Sequence, residues 1–246
     1  MDPASPAPVG APPAPSHEGS QGVEVGELEA GGGVLVVVRP LLRGRIHQVA
    51  AVVSIPAGLL LVLASDSPLD RVAALVYAVS LTALFVASST YHLMSKVGDR
   101  MRLWLRKLDH SMIFVLMGGC YTPLCLVALP QPLGVIMLTA VWVSVIFGVV
   151  LKMVGLHPTR ASIGSWLYIV LGWALVVALP WLVPAVGWMG MALLLAGGLL
   201  YTVGAVTLAT QRPNPSPRVF GYHEVWHAMG VTAAAFHFGL IWTIVT

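Results

Sequence analysis

The chain has 246 residues, 57% of them hydrophobic and 9% charged, with a net charge of +3 and a mean hydropathy of +0.86. A water-soluble domain carries about 25% charge, so this composition excludes a soluble fold. The net charge is small, where the charges sit matters more than their sum, and no nucleic-acid partner is expected. The chain reads as an all-α, polytopic membrane protein.

In chain order, residues 1–33 are rich in Pro, Ala, Gly and Ser, with five acids and no basic residue. Such a stretch has little to bury and is expected to be disordered. It lacks the basic and apolar regions of a signal peptide. Val34 to Val38 is an apolar run too short to span a bilayer, expected to lie at the interface or pack on the bundle. Arg39, Arg43 and Arg45 then form a basic collar. The expected division is a tail over 1–42, collar included, and a transmembrane domain over 43–246.

Apolar stretches near the ~20 residues that a bilayer needs follow at 46–65, 71–94, 108–128, 133–151, 162–182 and 188–210, with a last one from 222. Short turns at 66–70, 130–132 and 184–187 alternate with polar loops at 95–107, 152–160 and 211–218. This predicts a seven-helix transmembrane bundle. Lys and Arg gather on the cytoplasmic side of short loops. With the N-terminus inside, the collar and the loops after spans two, four and six hold twelve of the thirteen basic residues, and Arg71 alone falls outside. The expected topology is therefore N-terminus cytoplasmic and C-terminus outside, in the cell membrane.

Apolar spans have no need of ionisable groups, so each one present requires an account. Gly221-Tyr222-His223-Glu224-Val225-Trp226-His227 opens the last span, and two histidines four apart share a helix face. By the topology above, span two ends inside while spans three and seven begin inside. Ser88, His92, Asp109, His223 and His227 therefore converge at one membrane depth. Three neutral imidazoles with an open fourth position describe a catalytic zinc site, and His92, His223 and His227 can supply them if spans two and seven are neighbours. Ser88, one turn before His92, points at the same region. Asp109 can hold a water and take its proton as general base, or orient a ligand imidazole.

Plainer readings stand beside these. Asp109 can be a helix N-cap, Ser88 a packing hydroxyl, and His92 an interfacial residue. His110 points away from Asp109 and is expected at the interface, and Glu224 is expected to face headgroups or a loop arginine. His17 and His157 have nothing to recommend them. His237 shares the His223 face but lies ten residues beyond His227, about 15 Å deeper. It therefore either lines a cavity or hydrogen-bonds a neighbouring span. Cys120 and Cys125 are five apart on one helix, which points their thiols apart, and they read as packing residues.

Ser88-Ser89-Thr90-Tyr91-His92, Leu108-Asp109-His110 with Tyr121-Thr122-Pro123, and Gly221 to His227 resemble the three signature blocks of the hemolysin III family. That family is the bacterial branch of the progestin and adipoQ receptor superfamily, which includes the adiponectin receptors and is related to the alkaline ceramidases. Arg43-Gly44-Arg45-Ile46-His47 resembles a subset of the same family. The resemblance implies a seven-helix fold with zinc (Zn2+) near the cytoplasmic side, held by His92, His223 and His227, with Ser88 and Asp109 holding the water. It also implies a lipid substrate such as a ceramide-like amide. His47 lies at the cytoplasmic end of span one with no residue-level ground for making it a ligand.

The leading expectation is a zinc-dependent hydrolase of a lipid amide or related acyl bond, with membrane lipids as its partners. The alternatives are a receptor or signalling protein with a structural zinc, and a pore-forming cytolysin. A pore would place polar groups through the membrane depth, whereas here they cluster at one end.

Overall fold

A computed structural model describes residues 25–30, 33–38, 40–94, 96–155 and 163–246. The chain divides into two units, Met1–Arg39 and Pro40–Thr246. In the first, β1 (Val25–Ala30) pairs antiparallel with β2 (Gly33–Val38), setting Val25 opposite Val38 and Ala30 opposite Gly33. β1 falls in the stretch expected to be disordered, and the apolar Val34–Val38 run becomes most of β2. Consecutive β-branched residues favour the extended backbone. The remainder of the tail up to residue 24, with His17, lies outside the described residues, and so does His157 with its loop.

The second unit is a helical bundle. Its elements are α1 (Arg45–Ala64), α2 (Pro68–Leu93), α3 (Asp99–Pro123), α4 (Leu133–Val154), α5 (Ile163–Trp173), α6 (Leu179–Thr210) and α7 (Tyr222–Val245). Among the described residues, six helical stretches are long and apolar enough to cross a bilayer. The stretch over Leu167–Thr210 has 44 residues, about twice what one crossing needs. Within it, Gly187 at φ 64° and ψ −178° departs from helical geometry. Expected spans five and six both fall on this stretch.

Local signals account for several boundaries. Ser67 caps α2 by accepting the Asp70 backbone N–H, while the Asp70 carboxylate accepts the Ser67 N–H and Pro68 occupies the first turn. A π-helical turn over Leu124–Ala128 follows Pro123, whose missing N–H disrupts the α-helical ladder. α3 starts at Asp99, well before the expected span at 108. Arg100, Arg102, Arg106 and Lys107 lie on its first turns and not in an irregular loop.

The surface is the reverse of a soluble protein's. Val52 and Leu63 on α1 are each 67% exposed, and long apolar side chains on α2, α4 and α6 are likewise exposed. Such a belt suits hydrocarbon and is costly in water. The second unit is a polytopic, all-helical membrane domain. Inside the bundle, α1 packs on α2 and α7, α2 packs on α3 and touches α7, and α6 packs along α7. Small residues permit this closeness: a Cβ on Gly58 of α1 would lie 2.8 Å from the Ala78 Cβ on α2. Two apolar clusters fill the interior. One centres on Phe114, Tyr121, Val145 and Leu182, the other on Leu61, Tyr77, Phe85 and Ile241.

Candidate metal centre

Two helix ends and the interior of a third helix build the site. α2 delivers Ser88 and His92 in its last two turns, and α7 delivers His223 and His227 in its first two. The start of α7 is set by Glu224, whose Oε2 accepts the Gly221 N–H at 2.9 Å. α3 contributes Asp109 from its interior, ten residues past its start, so the carboxylate is not the helix N-cap. Because α2 and α7 are neighbours, the three imidazoles meet.

One ligand nitrogen from each of His92, His223 and His227 lies within 4.8 Å of the others. The His92 and His223 Nε2 atoms are 3.2 Å apart. Two imidazoles on one tetrahedral zinc at ~2.05 Å would be separated by about 3.3 Å. The ring centroids stand 4.5 to 5.0 Å apart. His92 and His227 are buried and His223 partly so. His227 Nε2 is buried with no hydrogen-bond partner among the described residues. A buried polar atom left unsatisfied is costly, and a cation among the three rings would satisfy it. The donor set fits a metal ion: three neutral nitrogen ligands, with a carboxylate close by.

The other expected members take these positions. The Asp109 carboxylate Oδ2 lies 3.9 Å from His92 Nε2 and is 15% exposed. The buried Ser88 side chain lies beside that carboxylate, on the same side of the site. Ser88, His92, Asp109, His223 and His227 thus form one constellation at one end of the bundle. His110 is exposed and turned away, its Nδ1 on the Arg106 carbonyl at 2.7 Å. Glu224 meets one of its two expected partners, a loop arginine, in the turn before α1. It is 1% exposed, and its Oε1 lies 3.7 Å from Arg43 Nε of the collar, so it braces the site and does not face headgroups. His237 Nε2 donates to the Leu194 carbonyl of α6 at 3.4 Å, apart from the cluster. Cys120 and Cys125 are free thiols.

One neighbour of the site was not assigned to it from the sequence. His47, in the first turn of α1, is buried with its Nε2 2.8 Å from His227 Nδ1. The signal available was depth alone, since span one begins at the same end as span seven.

A family profile described as "Haemolysin-III related" matches residues 35–238. The chain belongs to the haemolysin-III related family. It is 32% identical to "Hemolysin-3" of Bacillus cereus over 196 residues, covering 78% of this chain and 85% of that protein. It is 30% identical to the "Hemolysin-3 homolog" of Bacillus subtilis (strain 168), covering 77% and 87%. The human "Monocyte to macrophage differentiation factor" is 26% identical over 201 residues, 80% of each chain. These relationships set the hemolysin III family member within the progestin and adipoQ receptor superfamily. All five expected site residues fall inside the matched region, and His47 does too.

Proposed function

We propose that this hemolysin III family protein is a zinc-dependent hydrolase of a lipid amide, ceramide-like in chemistry. In this reading it crosses the cell membrane seven times with its N-terminus in the cytoplasm, the kink at Gly187 separating the fifth and sixth crossings. The observation that carries the enzymatic reading is the set of three imidazoles within 4.8 Å, with Asp109 3.9 Å from one of them. It lies at an end of an apolar bundle, where lipid headgroup-proximal bonds are found.

A zinc ion held by His92, His223 and His227 would supply Lewis acidity, polarising a carbonyl and making a water more acidic. Asp109 takes a proton from the attacking water, whose oxygen bonds to the amide carbon. The same carboxyl returns that proton to the departing nitrogen as the C–N bond breaks, giving a carboxylate and an amine. Ser88, beside the Asp109 carboxylate, keeps it aimed. The buried walls around His92 and His227 exclude competing water.

The test is turnover of a ceramide panel by the zinc-loaded, purified chain, with Asp109→Asn as control. Release of free fatty acid by the parent and its loss in the variant supports the reading. Full zinc occupancy with no release from any amide lipid points instead to a zinc that braces helices in a receptor. Dye release from liposomes by the purified chain would favour pore formation.

A further inference from the structure

The Arg43-Gly44-Arg45-Ile46-His47 segment plays no part in the reaction above, yet it lies against α2 and α7, the two helices that supply the imidazoles. Arg43 Nε is 3.7 Å from Glu224 Oε1 at the start of α7. Gly44, at φ 82°, is so close to α2 that an added Cβ would sit 2.8 Å from the His92 Cβ. His47 reaches His227 itself, with its Nε2 at 2.8 Å and its Nδ1 at 3.1 Å from His227 Nδ1. The two rings meet edge to face, centroids 4.0 Å apart, and the far side of His47 packs on Phe85 at 5.2 Å.

We infer that His47 is a positioning residue for the metal centre, accepting the Nδ1 proton of His227 so that Nε2 of that ring presents its lone pair to the metal. The inference rests on the zinc reading of the site. Each step follows from the chemistry of imidazole. A neutral ring carries one proton, and the nitrogen that binds a metal must be the bare one. His227 Nε2 is the buried atom without a partner, so it is the ligand atom and Nδ1 carries the hydrogen. That hydrogen needs an acceptor in a buried site, and His47 Nε2 stands 2.8 Å away. Metal-binding histidines ordinarily donate their second N–H to a carboxylate, carbonyl or water, which fixes ring orientation and raises basicity. Here another imidazole takes that place, from a helix 180 residues away in sequence. It fixes the tautomer without adding a charge to the buried site. The short approach at Gly44 and the Arg43–Glu224 pair hold α1 where this contact can form.

The experiment uses the purified full chain in detergent, with zinc affinity read by chelator competition and site geometry read by the visible spectrum of the cobalt(II) form. His47→Phe keeps a ring against Phe85 but removes the acceptor, and His47→Leu does the same with a smaller side chain should the first not fold. His47→Gln restores an acceptor oxygen. The expected result is about ten- to hundredfold weaker zinc binding in His47→Phe or His47→Leu, with a shifted cobalt spectrum. In His47→Gln most of the affinity and the parental spectrum return. Parental affinity and spectrum in His47→Phe overturn the inference, as does equal loss in the Phe and Gln variants, which marks a packing role alone. A parent chain that binds no zinc overturns the zinc reading itself, a separate outcome from either.

Discussion

The Arg43 guanidinium Nε stands 3.7 Å from the Glu224 carboxylate, and Glu224 is almost wholly buried while Arg43 is one-quarter exposed. This pair joins the entry to α1 with the first turn of α7, the turn that carries His223. The same carboxylate accepts the Gly221 N–H through its other oxygen, so one side chain both starts α7 and ties it to α1. Glu224→Gln keeps an acceptor for Gly221 but loses the charge. We expect it to lower stability by about 1–3 kcal/mol, read as a lower unfolding temperature in detergent. Glu224→Ala also removes the cap and is expected to cost more.

Gly44 makes a sharper prediction. Its φ of 82° is a left-handed conformation that disfavours any Cβ, and the added atom would also press on His92. Gly44→Ala should cost about 1–2 kcal/mol from the backbone alone. Because the collision is with a ligand side chain's own Cβ, zinc affinity should fall along with stability. Chelator competition on the folded variant checks this.

Separating the metal from the chemistry requires residues that touch one and not the other. Asp109→Asn leaves all three imidazoles in place and should retain zinc while amide hydrolysis falls about 10²–10⁴-fold. Ser88→Ala should lower turnover by less, since it removes only the hydroxyl beside Asp109. Metal content and fatty-acid release measured on the same preparations decide both.

The number and direction of crossings can be read by thiol labelling in intact cells. Trp188, next to the Gly187 kink, is 83% exposed. Trp188→Cys should react with a membrane-impermeant maleimide from outside, while Arg212→Cys should react only after the membrane is opened. Labelling of both from the same side would contradict seven crossings with a cytoplasmic N-terminus. Both native thiols lie within the helical bundle, Cys125 fully buried and Cys120 partly so, and should give little background.

How far the fold could be read from residues depended on the kind of signal. Long apolar stretches and the placement of Lys and Arg announce membrane helices. Counting them brings Ser88, His92, Asp109, His223 and His227 to one depth, where the structure gathers them. The start of α3 was hidden because Arg100, Arg102, Arg106 and Lys107 look like a loop, although a helix that emerges from a membrane carries such residues readily. The Gly187 break shows as a turn signal at 184–187, but Pro184 sits within helix and only the glycine leaves helical geometry. Tertiary partnerships were the least legible. The local pattern offers Glu224 a loop arginine without saying which, and nothing in it says that His47 meets His227, because each pairing depends on which helices become neighbours.

The account turns on whether His92, His223 and His227 hold zinc. Elemental analysis of the purified chain, alongside His227→Ala, tests this most directly. One zinc per chain in the parent and little or none in the variant is the predicted result. A folded parent without stoichiometric zinc, even after incubation with the metal, would contradict the site and the mechanism together.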